Sequence, residues 1–158
     1  MTAFAALEKL LHQEIPLSRE MGVSVVAASA DGVRIVAPLT PNINYSGTGF
    51  GGSLYSAAVL SCWLLVQATI KSAELELDML VIQSGSMEYL HPVDSDFEGQ
   101  ASWSSDEARA RFLSGLRRRR LFRTEVSAQI ICKDIVCAQL AGRFVAQLRT
   151  SPYEVQRG

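Results

Sequence analysis

Asn42-Ile-Asn44-Tyr-Ser-Gly47-Thr48-Gly-Phe50-Gly51-Gly52-Ser53 runs without a break into the apolar stretch Leu54 to Val66. Glycines and small polar residues read as a loop, and the apolar run behind them reads as a buried helix. The junction is therefore a polar loop delivered to a helix N-terminus. There the first backbone N–H groups have no partner within the helix, and the dipole favours negative charge. A helix that is apolar nearly all round must be covered on every side, so the rest of the chain has to supply that cover.

The flanks supply it as strands. Upstream, Phe4, Leu7, Leu10 and Leu11 fall at helical spacing within residues 2 to 14, and Pro16 follows the end of that segment. Two β-rich runs, Gly22 to Ser29 and Val33 to Pro38, are joined by Ala30-Asp31-Gly32, a hairpin signal. Downstream, a second β-rich part starts near Leu77, and Asp96 to Trp103 alternates polar with apolar or small residues. Ser104-Ser-Asp-Glu107 fits a capping box, followed by a helix with Ala108, Phe112, Leu113 and Leu116 as its apolar stripe. From Phe122, Val126, Ala128, Ile130 and Cys132 alternate with polar residues, and Val136 to Leu148 does the same beyond Lys133-Asp134, which gives a long hairpin. The expected architecture is α+β, an antiparallel sheet of about five or six strands wrapped around one central helix.

Composition bounds the function. The 158 residues suit one domain, read as 1–150 with a polar C-terminal tail at 151–158. A formal charge of -1 removes the long-range case for nucleic acid as a partner. The three cysteines, Cys62, Cys132 and Cys137, sit in apolar runs without metal-ligand spacing, so the expectation is reduced core thiols, no metal and a cytoplasmic setting. The N-terminus lacks the basic region of a signal peptide, and the Leu54 to Val66 run is shorter than a membrane span.

The order of elements, with Asn42-Ile-Asn44, Gly47-Thr48, Phe50-Gly-Gly-Ser-Leu-Tyr55 and Glu88-Tyr-Leu-His-Pro-Val93, resembles the hot-dog fold of acyl-thioester enzymes. Within it the chain is most similar to the thioesterase family named after the YiiD C-terminal domain, over roughly Pro16 to Leu148. The resemblance implies one hot-dog thioesterase-like domain working as a homodimer or dimer of dimers. The acyl chain would lie along the central helix, and the site would form between subunits. In phenylacetyl-type hot-dog thioesterases the loop resembles Asn-x-x-Gly-Thr-x-His-Gly-Gly, with an Asp further along the helix. Here Asn44, Gly47-Thr48 and Gly51-Gly52 match, whereas Phe50 stands at the His position and Val59 at the Asp position.

Thioester hydrolysis needs donors for the developing oxyanion and a positioned water that can lose a proton. The N–H of Gly51 or Gly52 suits the first need, although glycines there also permit close packing. Between Asp31 and Glu74 there is no acid and no histidine, so Asn44, Thr48 or Ser53 would hold water or carbonyl. A base would come from Glu88, His91, Asp94 or Asp96, in the same subunit or another. Ser53 equally suits helix capping, and Asn42 and Asn44 suit turns that bond their own backbone. Asn42, Phe50, Tyr55 and Val59 are candidates to line the substrate groove. Within the cluster Arg117 to Arg120 plus Arg123, Arg118 and Arg119 are candidates for the phosphates of coenzyme A or an acidic acyl carrier protein, the alternative being a solvated face.

The leading expectation is an acyl-thioester hydrolase on acyl-CoA or acyl carrier protein, by direct water attack. It uses no cofactor beyond the coenzyme A of its substrate. A noncatalytic acyl-thioester binding protein is the alternative, favoured by Phe50 and Val59. A hot-dog dehydratase stands third, since it needs a His and an acid facing each other.

Overall fold

The computed structural model describes residues 3–150. The polar tail expected at 151–158 lies outside the described residues. In chain order the elements are α1 (Ala3–Glu14), α2 (Leu17–Glu20), β1 (Ser24–Ala28), β2 (Val33–Ala37), a 3-10 turn (Thr40–Asn42) and α3 (Gly51–Ser72). After them come β3 (Leu77–Tyr89), β4 (Phe97–Ser102), α4 (Asp106–Arg119), β5 (Leu121–Cys132) and β6 (Ile135–Leu148). The six strands form one sheet in the order β1-β2-β4-β5-β6-β3, with every neighbouring pair antiparallel.

Alternation decides which face meets α3. Val126, Ala128, Ile130 and Cys132 of β5 are buried against the helix side, while Arg123, Glu125, Ser127 and Gln129 are exposed on the other. Lys133 and Asp134 both adopt positive φ, 51° and 63°, the backbone that a two-residue hairpin turn requires. Close approach of α3 depends on small residues in the sheet: a Cβ at Gly99 would collide with the Ser61 hydroxyl, and one at Gly85 with the Tyr55 hydroxyl.

Two expectations need correction. The capping box at Ser104 is displaced by one residue: the N-cap of α4 is Ser105, whose Oγ accepts the Ala108 N–H at 3.0 Å, so Glu107 falls one place short of closing the box. The central helix outruns the apolar stretch at both ends. At 22 residues it is long and apolar enough to cross a membrane, so the argument from length fails and its burial inside the fold decides the matter. The chain between Pro16 and Gly22 holds the short helix α2, where Ser18 is buried and donates its hydroxyl to the Ile15 carbonyl at 2.7 Å.

The two edges of the sheet differ. β1 is five residues long and bulged, and its Val25 N–H is taken at 2.6 Å by the Glu8 carboxylate of α1. β3 is 13 residues long and hydrogen-bonds to β6 on one side alone among the described residues. Such a strand is a template for pairing with another chain.

Candidate active site

The loop is built largely from its own backbone. Asn44 N–H donates to the Thr48 carbonyl at 2.7 Å, and Gly47 at φ 79° makes the reversal that a side chain would strain. Asn44 Oδ1 accepts from the N–H groups of Ser46 at 2.9 Å and Thr48 at 3.1 Å, and its Nδ2 donates to Thr48 Oγ1 at 3.0 Å. Asn44 and Thr48 are therefore turned on each other, the self-bonding turn that an asparagine supplies. Asn42 is buried and donates Nδ2 to the carbonyls of Met21 and Pro38, both at 2.8 Å. Two bonds carry the loop to the helix: Phe50 N–H to the Asn42 carbonyl at 2.8 Å, and Gly49 N–H to the Val93 carbonyl at 2.7 Å.

Phe50 is the N-cap of α3, extended at φ -64° and ψ 129°, and no side chain caps the helix. Ser53 therefore sits inside the first turn, and the capping role weighed for it does not arise. The first helical bond runs from Leu54 N–H to the Phe50 carbonyl at 3.0 Å. The N–H groups of Gly51, Gly52 and Ser53 donate to no group among the described residues. These are the three orphan donors of an uncapped helix start, with the positive end of the dipole behind them.

Aromatic residues frame these donors. The Tyr89 hydroxyl donates to the Gly51 carbonyl at 2.8 Å, and its ring would lie 3.5 Å from a Cβ at Gly51. Burial, with Tyr55 nearby, raises the Tyr89 pKa, so this phenol stays protonated and a donor. The Phe50 ring covers Gly52, where a Cβ would meet it at 2.5 Å. Reading the sequence missed Tyr89 as a site residue. The signal was its place in Glu88-Tyr-Leu-His-Pro-Val93, where alternation puts the residue after Glu88 on the helix side of β3.

Three of the four candidate bases face away or are bonded to other groups. Glu88 takes the face of β3 opposite to Tyr89. Asp94 pairs with Lys133 at 3.1 Å, which holds its carboxyl below the ordinary range, and Asp96 accepts the Leu39 N–H at 2.9 Å. His91 is exposed in the segment after β3, two residues before the Val93 that holds the glycine loop. Val59 lies two helical turns beyond Gly52 and begins a groove of about 1060 Å³. Leu10 of α1, Ile15 just beyond it, Trp63 and Gln67 of α3 and Leu80 of β3 also line that groove.

Arg117, Arg118 and Arg119 are exposed at the far end of α4, where Leu148 N–H bonds the Arg120 carbonyl and Leu148 lies opposite Leu77 of β3. The 22 residues of α3 separate that end from Gly51, about 33 Å at 1.5 Å per residue. The structure therefore brings Gly51, Gly52, Ser53, Phe50, Tyr55 and Tyr89 together and leaves Arg118 and Arg119 apart from them within one chain. No group of histidine, cysteine and acidic residues able to hold a metal occurs among the described residues.

A six-stranded antiparallel sheet around one long helix, with an uncapped glycine-rich helix start, defines a hot-dog protein of the thioesterase class. The family model described as "Putative thioesterase (yiiD_Cterm)" matches residues 4–148, and the chain belongs to this family. It is similar to the crystal structure of a putative thioesterase from Shewanella oneidensis, at 29% identity and TM-score 0.80, over 90% of this chain and 96% of that one. A protein of unknown function from Chlorobaculum tepidum superposes at TM-score 0.85 with 26% identity, over 92% of this chain and 94% of its own. A mutant of the phenylacetic acid degradation protein PaaI from Thermus thermophilus shares the fold at 18% identity and TM-score 0.62, over 84% of this chain and 99% of that one.

Proposed function

We propose that the chain hydrolyses acyl thioesters of coenzyme A or an acyl carrier protein by direct attack of water, with the carbonyl oxygen held at the start of α3. The observation that carries this reading is the set of undonated N–H groups at Gly51, Gly52 and Ser53. Preorganised amides there stabilise charge that develops on the thioester oxygen. The Ser53 hydroxyl, in the same first turn and with no partner among the described residues, orients the attacking water. The acyl chain then follows α3 past Tyr55 and Val59 into the groove beside Trp63.

The working unit in this reading is a homodimer joined along β3. Supporting it are the free edge of that strand and the large apolar residues exposed around the site, Ile43, Tyr45, Phe50, Tyr89 and Leu90. A partner would also bring residues to a site whose neighbouring acids Asp94 and Asp96 are engaged with Lys133 and the Leu39 N–H.

Purified protein incubated with a panel of acyl-CoA and acyl carrier protein thioesters, with free thiol followed by a chromogenic disulfide, tests the reading. Turnover above that of a Gly51→Pro variant is expected. A second reading, an acyl-thioester binding protein without turnover, is favoured by Phe50 and Val59 at positions where hydrolytic relatives of the phenylacetyl type carry polar residues. Micromolar binding of acyl-CoA with no thiol release selects it.

A further inference from the structure

The fold holds the two tryptophans of the chain differently. Trp103 donates its indole N–H to the Thr69 hydroxyl at 3.1 Å, the kind of partner that a buried indole normally finds. Trp63 of α3 is only 8% exposed, yet its N–H meets no acceptor among the described residues. That N–H is not sealed in, because Asn42 Oδ1 is the one buried, unpaired side-chain oxygen or nitrogen among those residues. It therefore opens through the small exposed part of the ring, and the space there is the groove between α1, α3 and β3.

Four residues on, Gln67 lines the same groove, half-buried, and its amide has no partner among the described residues either. Residues four apart on a helix are neighbours, about 5–6 Å between Cβ atoms, so the indole N–H and the amide serve one spot. Leu10, Ile15 and Leu80 wall that spot with hydrocarbon. A purely hydrocarbon ligand would take the water from both polar groups and bond neither, which costs free energy.

Gly52, Val59, Trp63 and Gln67 follow one another at helical spacing, a single stripe along α3. From Gly52 to Trp63 the stripe runs about 17 Å along the axis. With C–C bonds of about 1.5 Å in a zigzag, that is the reach of roughly 12 to 14 carbons. The bonding requirement then specifies the group carried there. Trp63 can only donate, whereas the Gln67 amide can also accept. A hydroxyl accepts one bond and donates another, so it satisfies both. A carboxylate only accepts, and its charge would lose water against apolar walls and two neutral donors.

We propose that the groove selects acyl thioesters bearing a hydroxyl at the far end of the chain. The Trp63 N–H donates to the hydroxyl oxygen, and the hydroxyl donates to Gln67 Oε1. The inference rests on the reading that places the thioester at the start of α3, and it holds whether or not that thioester is cleaved. No bond is made or broken at this end; Trp63 and Gln67 bind and discriminate.

Three ligands of one chain length test it: dodecanoyl-CoA, its ω-hydroxy form and its β-hydroxy form. Thiol release gives kcat/KM for the thioesters, and calorimetry gives affinity for their thioether analogues, which cannot be hydrolysed. The ω-hydroxyl should improve both at least tenfold over the plain chain, and the β-hydroxyl, close to the thioester, should change them no more than twofold. Trp63→Phe keeps a ring and deletes the N–H; Gln67→Leu keeps the bulk and deletes the amide. Each should cut the ω-hydroxyl preference to within about threefold. In proton–nitrogen spectra, the indole peak that Trp63→Phe removes should move downfield on binding the ω-hydroxy thioether and less on binding the plain one. Preference for the ω-hydroxy thioether with no thiol release from any thioester sinks the hydrolase reading and leaves this one standing. Turnover with equal affinity and equal kcat/KM for the plain and ω-hydroxy chains does the reverse. Failure of every thioether to bind, a preference that survives in both variants, or an indole peak indifferent to the hydroxyl also overturns it.

Discussion

A Cβ at Gly51 would rest 3.5 Å from the Tyr89 ring, an ordinary contact, whereas one at Gly52 would meet the Phe50 ring at 2.5 Å. Space therefore does not demand glycine at 51. Its backbone also suits proline: Phe50 at φ -64° and ψ 129° already has the extended form required before proline, and Gly51 is the first helical residue, where proline is well tolerated. Gly51→Pro deletes one N–H and little else, and Gly51→Ala keeps it. If this amide holds the oxyanion, the proline variant loses on the order of 10²-fold in kcat while alanine stays near wild type, both with unchanged melting temperatures. Equal activity of the two by thiol release would assign the oxyanion to another donor. The glycines and the loop asparagines were readable from the sequence because turn chemistry is local. The occupation of Asn44 by Thr48, and the arrival of Tyr89, were not, because they depend on how side chains pack and strands register. Cys62 gives a second test at this scale. Burial raises its thiol from 9.0 to about 12, so native protein should resist alkylation there at neutral pH. Since the folded value lies above the unfolded one, this thiol leaves stability intact below 9.0 and erodes it as pH rises toward about 12. Urea midpoints across that range should fall in the wild type and fall less in Cys62→Ala.

At the scale of elements, α4 shows two rules in competition. Gly115 lies in its interior, where alanine would favour the helix by about 1 kcal/mol. A Cβ there would overlap the Phe122 ring, which packs beside Phe112 at 6.3 Å between centroids, and Phe112 stacks on Trp103 at 5.3 Å. Displacing an aromatic from a packed cluster costs about 1–3 kcal/mol, so packing should win. Gly115→Ala is expected to lower stability by about 1–2 kcal/mol, read from urea midpoints at unchanged slope. A gain in stability would mean that the ring moves aside freely. The stripe of Phe112, Leu113 and Leu116 made this helix legible. The one-residue error in its cap arose because adjacent serines offer the same chemistry, and only the Ser105 backbone, extended at φ -165° and ψ 165°, separates them. The hairpin of β5 and β6 was legible end to end because alternation is strict on both sides of Lys133-Asp134.

For the whole molecule, the order of strands makes β1, short and bonded at Val25 by Glu8, one edge and the long β3 the other, and no periodicity reports which strand will be an edge. If the open edge joins two protomers, a residue that disturbs pairing but not the protomer should separate them. Gln83 is such a residue, since the register of β3 on β6 passes from Ile82 opposite Phe144 to Ser84 opposite Arg143, leaving Gln83 without a partner at the irregularity. Proline is accommodated at bulges and edges because no ladder bond is lost there, yet its ring blocks an incoming strand. Gln83→Pro should therefore keep the far-ultraviolet circular dichroism of the wild type and shift sedimentation equilibrium from dimer toward monomer. A tenfold or greater weakening of the dimer corresponds to about 1.4 kcal/mol or more. Wild-type protein that sediments as a monomer at every concentration would remove the β3 interface from this account. A variant that stays dimeric would move the interface to another surface of the molecule.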